Sequence, residues 1–374
     1  MKRRAAQTTL FLLVACLPLL ALANNPQTPQ LWVEAPTVVE IDRTFHVRVS
    51  ADRPVTFTLT YADWTVEQVD QALDVQLSAR AGVRDLTIEA VDRNGATTTQ
   101  TVALTPVPPV EPRWVITGGS QPGDPFTVSV RFERDQLAAL GSPEILIDGR
   151  PTPLLQEGEI FYAFGVAPLR TEADTVPIEL RWGRESVRSE QRTVAHGPLA
   201  GDVQLLQLSG EVLSAVTPEA RELEAAALAR ARANLAPQPQ WQEPFLLPIE
   251  GRGTSGFARS RRYAPGGPVS FHMGEDIAAP TGTPIRATND GVVVLVGQYP
   301  IKGGLTVIDH GGGVTSRYYH QSRMNVTAGQ TVRRGDVIGE VGSTGLSTGP
   351  HLHWEMRVHG LASNPLAWVN RKRP

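Results

Sequence analysis

Residues 348–355 read TGPHLHWE and carry two histidines, His351 and His353, two positions apart. Successive side chains of a β-strand point to opposite faces, so residues two apart point the same way. If this stretch is a strand, both imidazoles face one cavity. Six of the chain's eight histidines lie in its last third, so further imidazoles are available within the same segment.

A second stretch, FHMGED at residues 271–276, supplies another histidine and a carboxylate. The spacing of four aligns His272 with Asp276, whether the segment is a strand or one helical turn. With a histidine of the first stretch they make three donors, which leaves one coordination position for water. That arrangement is typical of catalytic zinc, whereas a structural site normally uses four protein ligands. Imidazole nitrogens with a single carboxylate favour Zn²⁺ over Ca²⁺ or Mg²⁺, which prefer oxygen ligands.

Further short motifs lie between these two stretches. In chain order the whole set is HMGEDIAAP (272–280), GTPIRA (282–287), YYH (318–320), GSTG (342–345) and TGPHLHWE (348–355). In order and spacing they resemble the lysostaphin-type zinc endopeptidases, a family that cleaves peptide bonds in bacterial peptidoglycan. The resemblance extends over residues 241–368.

The resemblance implies roles for five side chains. His272, Asp276 and His353 would hold one zinc ion, and His320 and His351 would be catalytic histidines that do not bind it. Hydrolysis of an amide needs an activated water, a base that takes its proton and stabilisation of the oxyanion. Imidazole titrates in the range that suits this proton transfer. Either unbound histidine fits the role of base; we predict that His351 is the general base and that His320 stabilises the oxyanion or orients the water.

Three other polar residues of this segment have structural interpretations. His310 belongs to a phrase without a catalytic role, so we predict a turn or core residue, and His359, before a glycine, predicts a surface turn. Glu355 shares a strand face with His351 and His353. Its carboxylate therefore either orients a ligand from behind or points into solvent.

The amino terminus has the pattern of a secretory signal. Basic residues at positions 2–4 precede an apolar run at 10–22, which ends at a small-residue cleavage site. The run is too short to span a bilayer stably. The phrase LVAC ending at Cys16 resembles a lipoprotein processing site, but the apolar residues that follow it favour ordinary cleavage over lipid anchoring. We predict a signal peptide at residues 1–23, a mature protein without cysteine, and a periplasmic or cell-surface location.

At 374 residues the chain has room for two or three domains. Residues 24–105 and 113–200 alternate apolar and polar side chains in short runs between turn residues, which predicts two immunoglobulin-like β-sandwich domains. A proline-rich stretch between them would be a stiff linker. Asp148 and Gly149 predict a hairpin turn in the second domain.

Residues 201–240 predict a linker with a helix at 217–235. Thr217 is a typical N-cap residue, a proline takes the first helical position, and Pro237 cannot continue the helix. One modest apolar face could pack on a neighbour; its residues are Leu223, Ala227, Leu228 and Ala231. Short β-branched runs in residues 241–374 predict a metallopeptidase domain built on an antiparallel sheet, so the fold class is mainly β.

The overall charge of −3 hides an asymmetry. Residues 241–374 hold 14 Lys and Arg against 9 Asp and Glu, a net of +5, and residues 24–240 hold 18 against 29, a net of −11. A basic catalytic domain suits an acidic polymer such as the cell wall, and the acidic front half could dock on it. We predict no nucleic-acid partner.

The sequence therefore predicts an exported zinc metallopeptidase that hydrolyses cross-links or stem peptides of peptidoglycan. The resemblance makes a D-amino-acid cross-link a better candidate substrate than an oligoglycine bridge. Two alternatives come from other classes of protein. A non-enzymatic regulator of other wall hydrolases would lack a ligand position, and an envelope-binding structural protein would carry its function in the front domains.

Overall fold

A computed structural model describes residues 28–133, 143–169, 174–183, 188–199, 203–205, 216–262 and 266–369. Within these residues the protein is mainly β, and no helix is both long and apolar enough to cross a membrane. The predicted signal peptide, residues 1–23, lies outside them. The chain forms two compact units, Met1–Pro109 and Val110–Pro374.

The first unit is built around one long strand, β3. Its strands are β1 (Leu31–Glu34), β2 (Val38–Glu40), β3 (Thr44–Tyr61), β4 (Trp64–Ser78), β5 (Asp85–Asp92), β6 (Thr97–Ala103) and β7 (Thr105–Val107). β3 pairs with β1, β4 and β5, β6 adds to β5, and β2 and β7 form a separate parallel pair. Val47, Val49, Phe57 and Leu59 alternate along β3 with more exposed residues, and all four are buried in the core of this unit.

The second unit begins with two four-stranded sheets. Their strands are β8 (Arg113–Gly118), β9 (Pro125–Arg131), β10 (Glu144–Ile147), β11 (Arg150–Thr152), β12 (Leu155–Glu157), β13 (Ile160–Val166), β14 (Asp174–Trp182) and β15 (Arg188–His196). The sheet orders are β11-β10-β14-β15 and β12-β13-β9-β8, all antiparallel. The predicted hairpin turn is confirmed, because Asp148 and Gly149 join β10 to β11 with φ of 52° and 71°. We call these two sheets the second sandwich.

A larger sheet forms the carboxyl-terminal part of the same unit. Its strands and those around it are β16 (Gln204–Leu205), β17 (Arg252–Ser255), β18 (Ser260–Arg262), β19 (Ser270–Phe271), β20 (Glu275–Ala278), β21 (Pro284–Arg286), β22 (Gly291–Tyr299), β23 (Gly303–Gly311), β24 (Val314–Gln321), β25 (Arg323–Met324), β26 (Thr331–Val332), β27 (Val337–Glu340), β28 (His351–Val358) and β29 (Leu361–Ser363). The eight-stranded sheet has the order β17-β20-β28-β24-β23-β22-β26, and β29 also pairs with β28. A short 3₁₀ helix follows at Pro365–Trp368.

β28 lies between β20 and β24 in this sheet, and its two faces differ. Leu352, Trp354 and Met356 point into the apolar core and are fully buried. Burial of three large side chains on one face fixes the register, because a slip of one residue would put all of them on the wrong side. The opposite face therefore presents His351 and His353 together.

Among the described residues, one α-helix, α1 (Pro218–Arg232), precedes this sheet. As predicted, Thr217 is its N-cap: the side chain accepts a hydrogen bond from the Ala220 amide at 3.1 Å. The helix ends at Arg232 rather than at residue 235, since the Ala236 amide donates to the Asp309 carboxylate at 2.6 Å and turns the chain onto β23.

The buried face of α1 includes most of the predicted apolar face, since Ala227 is buried and Leu228 packs against a buried cluster, but Leu223 does not belong to it. Ala220, Glu224 and Ala227 are buried, whereas Leu223 is 51% exposed. Periodicity placed an apolar residue inside, but the carboxylate of Glu224 finds hydrogen-bond donors there. A buried charge is tolerated when it is paired in this way.

The second sandwich contacts the large sheet through aromatic side chains. Phe164 of β13 lies with its ring centroid 5.6 Å from that of Trp241 and 6.3 Å from that of Trp368. Trp241 and Phe245 pack edge to face at 5.4 Å within the same cluster. Apolar burial therefore holds these two parts together. Docking by opposite charges stays a prediction.

Candidate metal centre

Two adjacent strands bring the predicted donors together. β20 and β28 are antiparallel, and their register places Asp276 directly opposite His353, with Ala278 opposite His351. Side chains of directly opposed residues on one face of a sheet lie about 5 Å apart at their Cβ atoms. Strand pairing alone therefore brings the Asp276 carboxylate next to the His353 imidazole.

His272 reaches the same point from the segment that joins β19 to β20. Its backbone amide donates to the Arg259 carbonyl at 2.9 Å, which fixes the chain just before the turn. Gly274 then lets the backbone pass close to β28: a Cβ there would lie 2.4 Å from the Trp354 carbonyl oxygen and 2.9 Å from the His353 ring. Only glycine fits at this position without displacing a donor.

The three donor atoms converge closely. Asp276 Oδ1 lies 2.7 Å from His353 Nδ1 and 3.1 Å from His272 Nε2, and the two nitrogens are 3.0 Å apart. Among the described residues, these are the group of histidine and carboxylate side chains that could hold a metal ion.

The outer partners of the two imidazoles show which nitrogens face inward without a proton. His272 Nδ1 donates to the Gly256 carbonyl at 2.9 Å, and His353 Nε2 donates to the Glu355 carboxylate at 3.3 Å. In the neutral tautomers, both inward nitrogens are therefore acceptors, as is the carboxylate. Three acceptors at this distance require a positive charge between them, so the donor set fits a cation. The pKa of His353 reflects the same requirement: burial alone would lower it, but hydrogen bonds to Asp276 and Glu355 raise it to about 9.

The second oxygen of Asp276 is occupied by an arginine. Arg261 Nη2 donates to Asp276 Oδ2 at 3.2 Å and also to the Ser255 hydroxyl. Burial would raise the pKa of the Asp276 carboxyl, but hydrogen bonds with His272 and His353 hold it well below its ordinary value. The carboxylate is thus ionised, with Oδ1 as the oxygen left for a metal.

Glu355 supports His353 from behind. Its carboxylate is buried and also accepts from Arg357 at 2.8 and 2.9 Å, with Arg317 at 3.5 Å. Burial would raise the pKa of Glu355, but Arg357, His353 and Arg317 keep it well below the ordinary value. Of the two interpretations left open by the sequence, the structure has the one in which Glu355 orients a donor.

His320 is the last residue but one of β24 and lies beside the donor cluster. Its Nδ1 donates to the Thr344 carbonyl at 2.8 Å, so Nε2 is unprotonated in the neutral ring. Burial, with His353 and His351 nearby, lowers the pKa of His320 to about 3. Its backbone has φ of 61°, which is uncommon outside glycine.

His351 begins β28 and lies on the other side of the same space. Its Nδ1 donates to the Gly349 carbonyl at 2.8 Å, which leaves Nε2 unprotonated and 3.8 Å from Asp276 Oδ1. The centroids of the His320 and His351 rings are 4.7 Å apart. Two unprotonated nitrogens therefore border the donor cluster, where a water bound to a metal could be contacted by either.

The other histidines of this segment lie elsewhere. His310 is fully buried and its Nδ1 donates to the Asp290 carbonyl at 2.7 Å; burial lowers its pKa to about 4. His359 is exposed in the turn between β28 and β29. These positions agree with the core and surface-turn interpretations.

Three arginines of the site were not predicted. Arg357 follows Glu355 by two residues on one strand face, so the strand spacing could have found it. Arg317 lies opposite Glu355 on β24, and Arg261 lies on β18, so both depend on pairing that the sequence does not state.

Comparison with known proteins locates this site within a known family. Residues 270–365 match the family model described as peptidase family M23. Over 97 residues the chain is 49% identical to the DD-carboxypeptidase/endopeptidase Mpg of Neisseria meningitidis serogroup B, and the match covers 26% of this chain and 22% of that protein. Over 98 residues it is 46% identical to the peptidoglycan DD-endopeptidase ShyA of Vibrio cholerae serotype O1, covering 26% and 23%. The chain thus spans less than a third of the length of these curated relatives.

Among solved structures, the catalytic domain of lysostaphin from Staphylococcus simulans is 31% identical, and the match covers 31% of this chain and 90% of that domain with a TM-score of 0.29. The segment that matches the family model, residues 270–365, includes every histidine and carboxylate of the donor cluster and both unprotonated histidines beside it. Residues 270–365 of the chain therefore form a peptidase M23 domain, which is lysostaphin-like.

Proposed function

We propose that this protein is a zinc-dependent endopeptidase that hydrolyses peptide cross-links of peptidoglycan. One observation carries the proposal: three acceptor atoms converge within 3.1 Å of one another, and two further histidines with unprotonated Nε2 atoms border them. A site for a structural metal would not need the two additional histidines.

The ligands in this proposal are His272 through Nε2, His353 through Nδ1 and Asp276 through Oδ1. A bound Zn²⁺ would supply a water with a pKa of roughly 7 and would polarise the scissile carbonyl. The hydrogen bonds to Gly256 and Glu355 hold the two imidazoles in the tautomers that this binding needs. Arg261 leaves Asp276 one free oxygen, which makes it a ligand through a single atom.

His351 is the general base in this mechanism. Its Nε2 is the unprotonated nitrogen 3.8 Å from the carboxylate ligand, and its Nδ1 is anchored by a backbone carbonyl, so the ring can accept a proton at Nε2 and later return it to the leaving amine. His320 is anchored in the same way through Thr344. Because the neutral ring has no proton on Nε2, we infer that it orients the attacking water as an acceptor rather than donating to the oxyanion.

The proposed substrate is a D,D cross-link. Two relatives named above are described as a DD-carboxypeptidase/endopeptidase and a peptidoglycan DD-endopeptidase, and the site lies within the residues that match the family model. A net charge of +5 over residues 241–374 suits an acidic polymer. Such a substrate requires a location outside the cytoplasm, which the pattern of residues 1–23 would provide. We also keep as a proposal the division into domains at 24–105, 113–200 and 241–374.

The test is digestion of purified D,D-cross-linked muropeptide dimers by the full mature chain, with products identified by mass spectrometry and bound metal measured in parallel. We expect monomers that together have gained one water. His353→Ala should lose both zinc and cleavage, and His351→Ala should keep zinc but lose cleavage. His359→Ala, at the histidine of the turn between β28 and β29, is the matched control and should keep both. Zinc-loaded wild-type protein that leaves the D,D bond intact would contradict the proposed substrate.

A further inference from the structure

Among the described residues that precede the matched segment 270–365, Glu224 has the most deeply buried charged side chain, with 2% of the residue exposed. It lies close to the site. It lies on α1, 46 residues before residue 270, where the family match begins. Glu224 Oε1 accepts hydrogen bonds from the backbone amides of Ile301 at 2.7 Å and Lys302 at 3.0 Å. Oε2 accepts from the Lys302 ammonium at 2.5 Å. One side chain thus satisfies three donors of the turn between β22 and β23.

That turn is bonded directly to His320. The Lys302 carbonyl accepts from the His320 backbone amide at 3.0 Å, so one residue separates the Glu224 carboxylate from the catalytic histidine. The Ile301 carbonyl accepts from the Leu346 amide at 2.8 Å, in the loop before β28. The turn therefore touches His320 and the loop that borders it.

The same turn also fixes the partner of the His320 ring. The Gly304 amide donates to the Thr344 hydroxyl at 2.9 Å, and the Thr344 carbonyl accepts from His320 Nδ1. Gly303 lies so close that a Cβ there would be 2.3 Å from that hydroxyl oxygen. A shift of the turn would therefore move both the backbone support and the ring support of His320.

His320 depends on such support because its backbone is strained. A φ of 61° costs a residue with a Cβ free energy, and it persists only where surrounding contacts determine the conformation. Those contacts are two hydrogen bonds: the His320 backbone amide donates to the Lys302 carbonyl, and the His320 ring donates to the Thr344 carbonyl. Both run through the turn that Glu224 holds.

We propose that Glu224 is a positioning residue for His320, and that α1 thereby belongs to the catalytic architecture rather than being a passive linker. The inference rests on the proposed function, since it assigns a role within that site. The helix contributes a charge to hold a backbone turn, and the turn holds the histidine.

The experiment compares Glu224→Ala, Glu224→Gln and Glu222→Ala in the full mature chain. Glu222 is an exposed glutamate two residues away on the same helix, so it is the matched control. Glu224→Ala leaves two backbone amides and an ammonium without their acceptor. We expect roughly a 10- to 100-fold loss of kcat on cross-linked muropeptides, the scale expected for a small misplacement of a catalytic group, with zinc content and KM retained. Glu224→Gln keeps an acceptor oxygen for the two amides but loses the charge that pairs with the Lys302 ammonium, so it should recover only part of the loss.

A second measurement does not depend on catalysis. Hydrogen exchange of the zinc-loaded proteins should show faster exchange at residues 301–304 and 320 in Glu224→Ala, with β20 and β28 unchanged. Unaltered exchange there, or an equal loss of kcat in Glu222→Ala, would overturn the proposal. If wild-type protein does not cleave the muropeptide, the proposed substrate fails, while the exchange result still decides whether Glu224 positions His320. If Glu224→Ala does not fold, Glu224→Gln decides: unchanged exchange and kcat would count against the role of the charge.

Discussion

Replacement of Glu355 by glutamine should weaken zinc binding without removing any ligand. The carboxylate is nearly out of contact with solvent, 3.3 Å from His353 Nε2 and within 2.8–2.9 Å of the Arg357 guanidinium. Glutamine can keep an oxygen facing the imidazole, but its charge is gone, so His353 becomes a weaker electron donor at Nδ1. Loss of such an outer partner typically costs 10- to 100-fold in metal affinity. That range corresponds to about 1.4–2.7 kcal/mol.

The alanine variant should add a second effect. Arg317 and Arg357 would face a cavity with no counter-charge, and removing one partner of a buried ion pair costs about 3–5 kcal/mol of folding free energy. The midpoint temperature of thermal unfolding should therefore drop much further in Glu355→Ala than in Glu355→Gln.

The assay is competition for zinc with a chromophoric chelator, carried out on protein shown to be folded, beside thermal unfolding of the same samples. Glu250→Gln, at an exposed position just before β17, is the control and should match the wild type in both. A folded Glu355→Gln variant with wild-type zinc affinity would refute the role assigned to the carboxylate, whatever its unfolding temperature.

Three further outcomes follow from the geometry. Gly274→Ala should lose zinc and about 1–3 kcal/mol of folding free energy, because a Cβ there would lie 2.9 Å from the His353 ring. Metal content and the free energy of unfolding are the two measurements. Gly123→Ala should destabilise the second unit by a similar amount, since φ is 83° and a Cβ would lie 2.0 Å from the Phe257 ring; Gly158→Ala, also at positive φ but in open space, should unfold closer to the wild type. In chelator-treated protein, protonated His353 stabilises the fold. Since hydrogen bonds raise its pKa from 6.5 to about 9 despite burial, that stabilisation is complete below pH 6.5 and up to roughly 3 kcal/mol is lost as pH rises through 9; an unfolding midpoint that is flat over this range would contradict it.

The spacing of the candidate donors is local, so the sequence could bring them together in pairs, whereas the choice of His353 over His351 as a ligand came from the family resemblance and stays a prediction. His351 and His353 share a strand face by the two-residue period, and Asp276 follows His272 closely enough to turn back on it. What the sequence could not state is which strands are neighbours. The register that sets Asp276 opposite His353 depends on burial of Trp354 and its companions, and these are contacts between segments far apart in the chain.

One residue of the predicted apolar face of α1, Leu223, is exposed for a related physical reason. Helical periodicity ranks residues by their own hydrophobicity, and by that measure Leu223 should be buried and Glu224 exposed. The fold reverses the two because a turn 77 residues later offers Glu224 two amides and an ammonium. A buried carboxylate is stable only in the presence of such donors, and a window of neighbouring residues contains no information about them.

His272 is oriented by a part of the fold that also lies outside the family match. The Gly256 carbonyl that fixes its tautomer belongs to the segment between β17 and β18. The next residue, Phe257, packs its ring against Gly123 of the second sandwich so closely that a Cβ could not be accommodated there. The sandwich therefore supports the segment that aligns one donor of the metal centre.

Glu224 acts in the same sense on the other side of the site, through the turn that holds His320. Both contacts orient an imidazole through a backbone carbonyl, and a carbonyl is only as well placed as the loop that carries it. Residues 270–365 contain the donors and the two unprotonated histidines, but Gly123 and Glu224 lie before that range. Isolating residues 270–365 would keep the three donors and both unprotonated histidines but would remove the Gly256 carbonyl and Arg261, which orient donors, and Glu224, which holds the turn beside His320, so we expect the isolated segment to lose both zinc affinity and kcat.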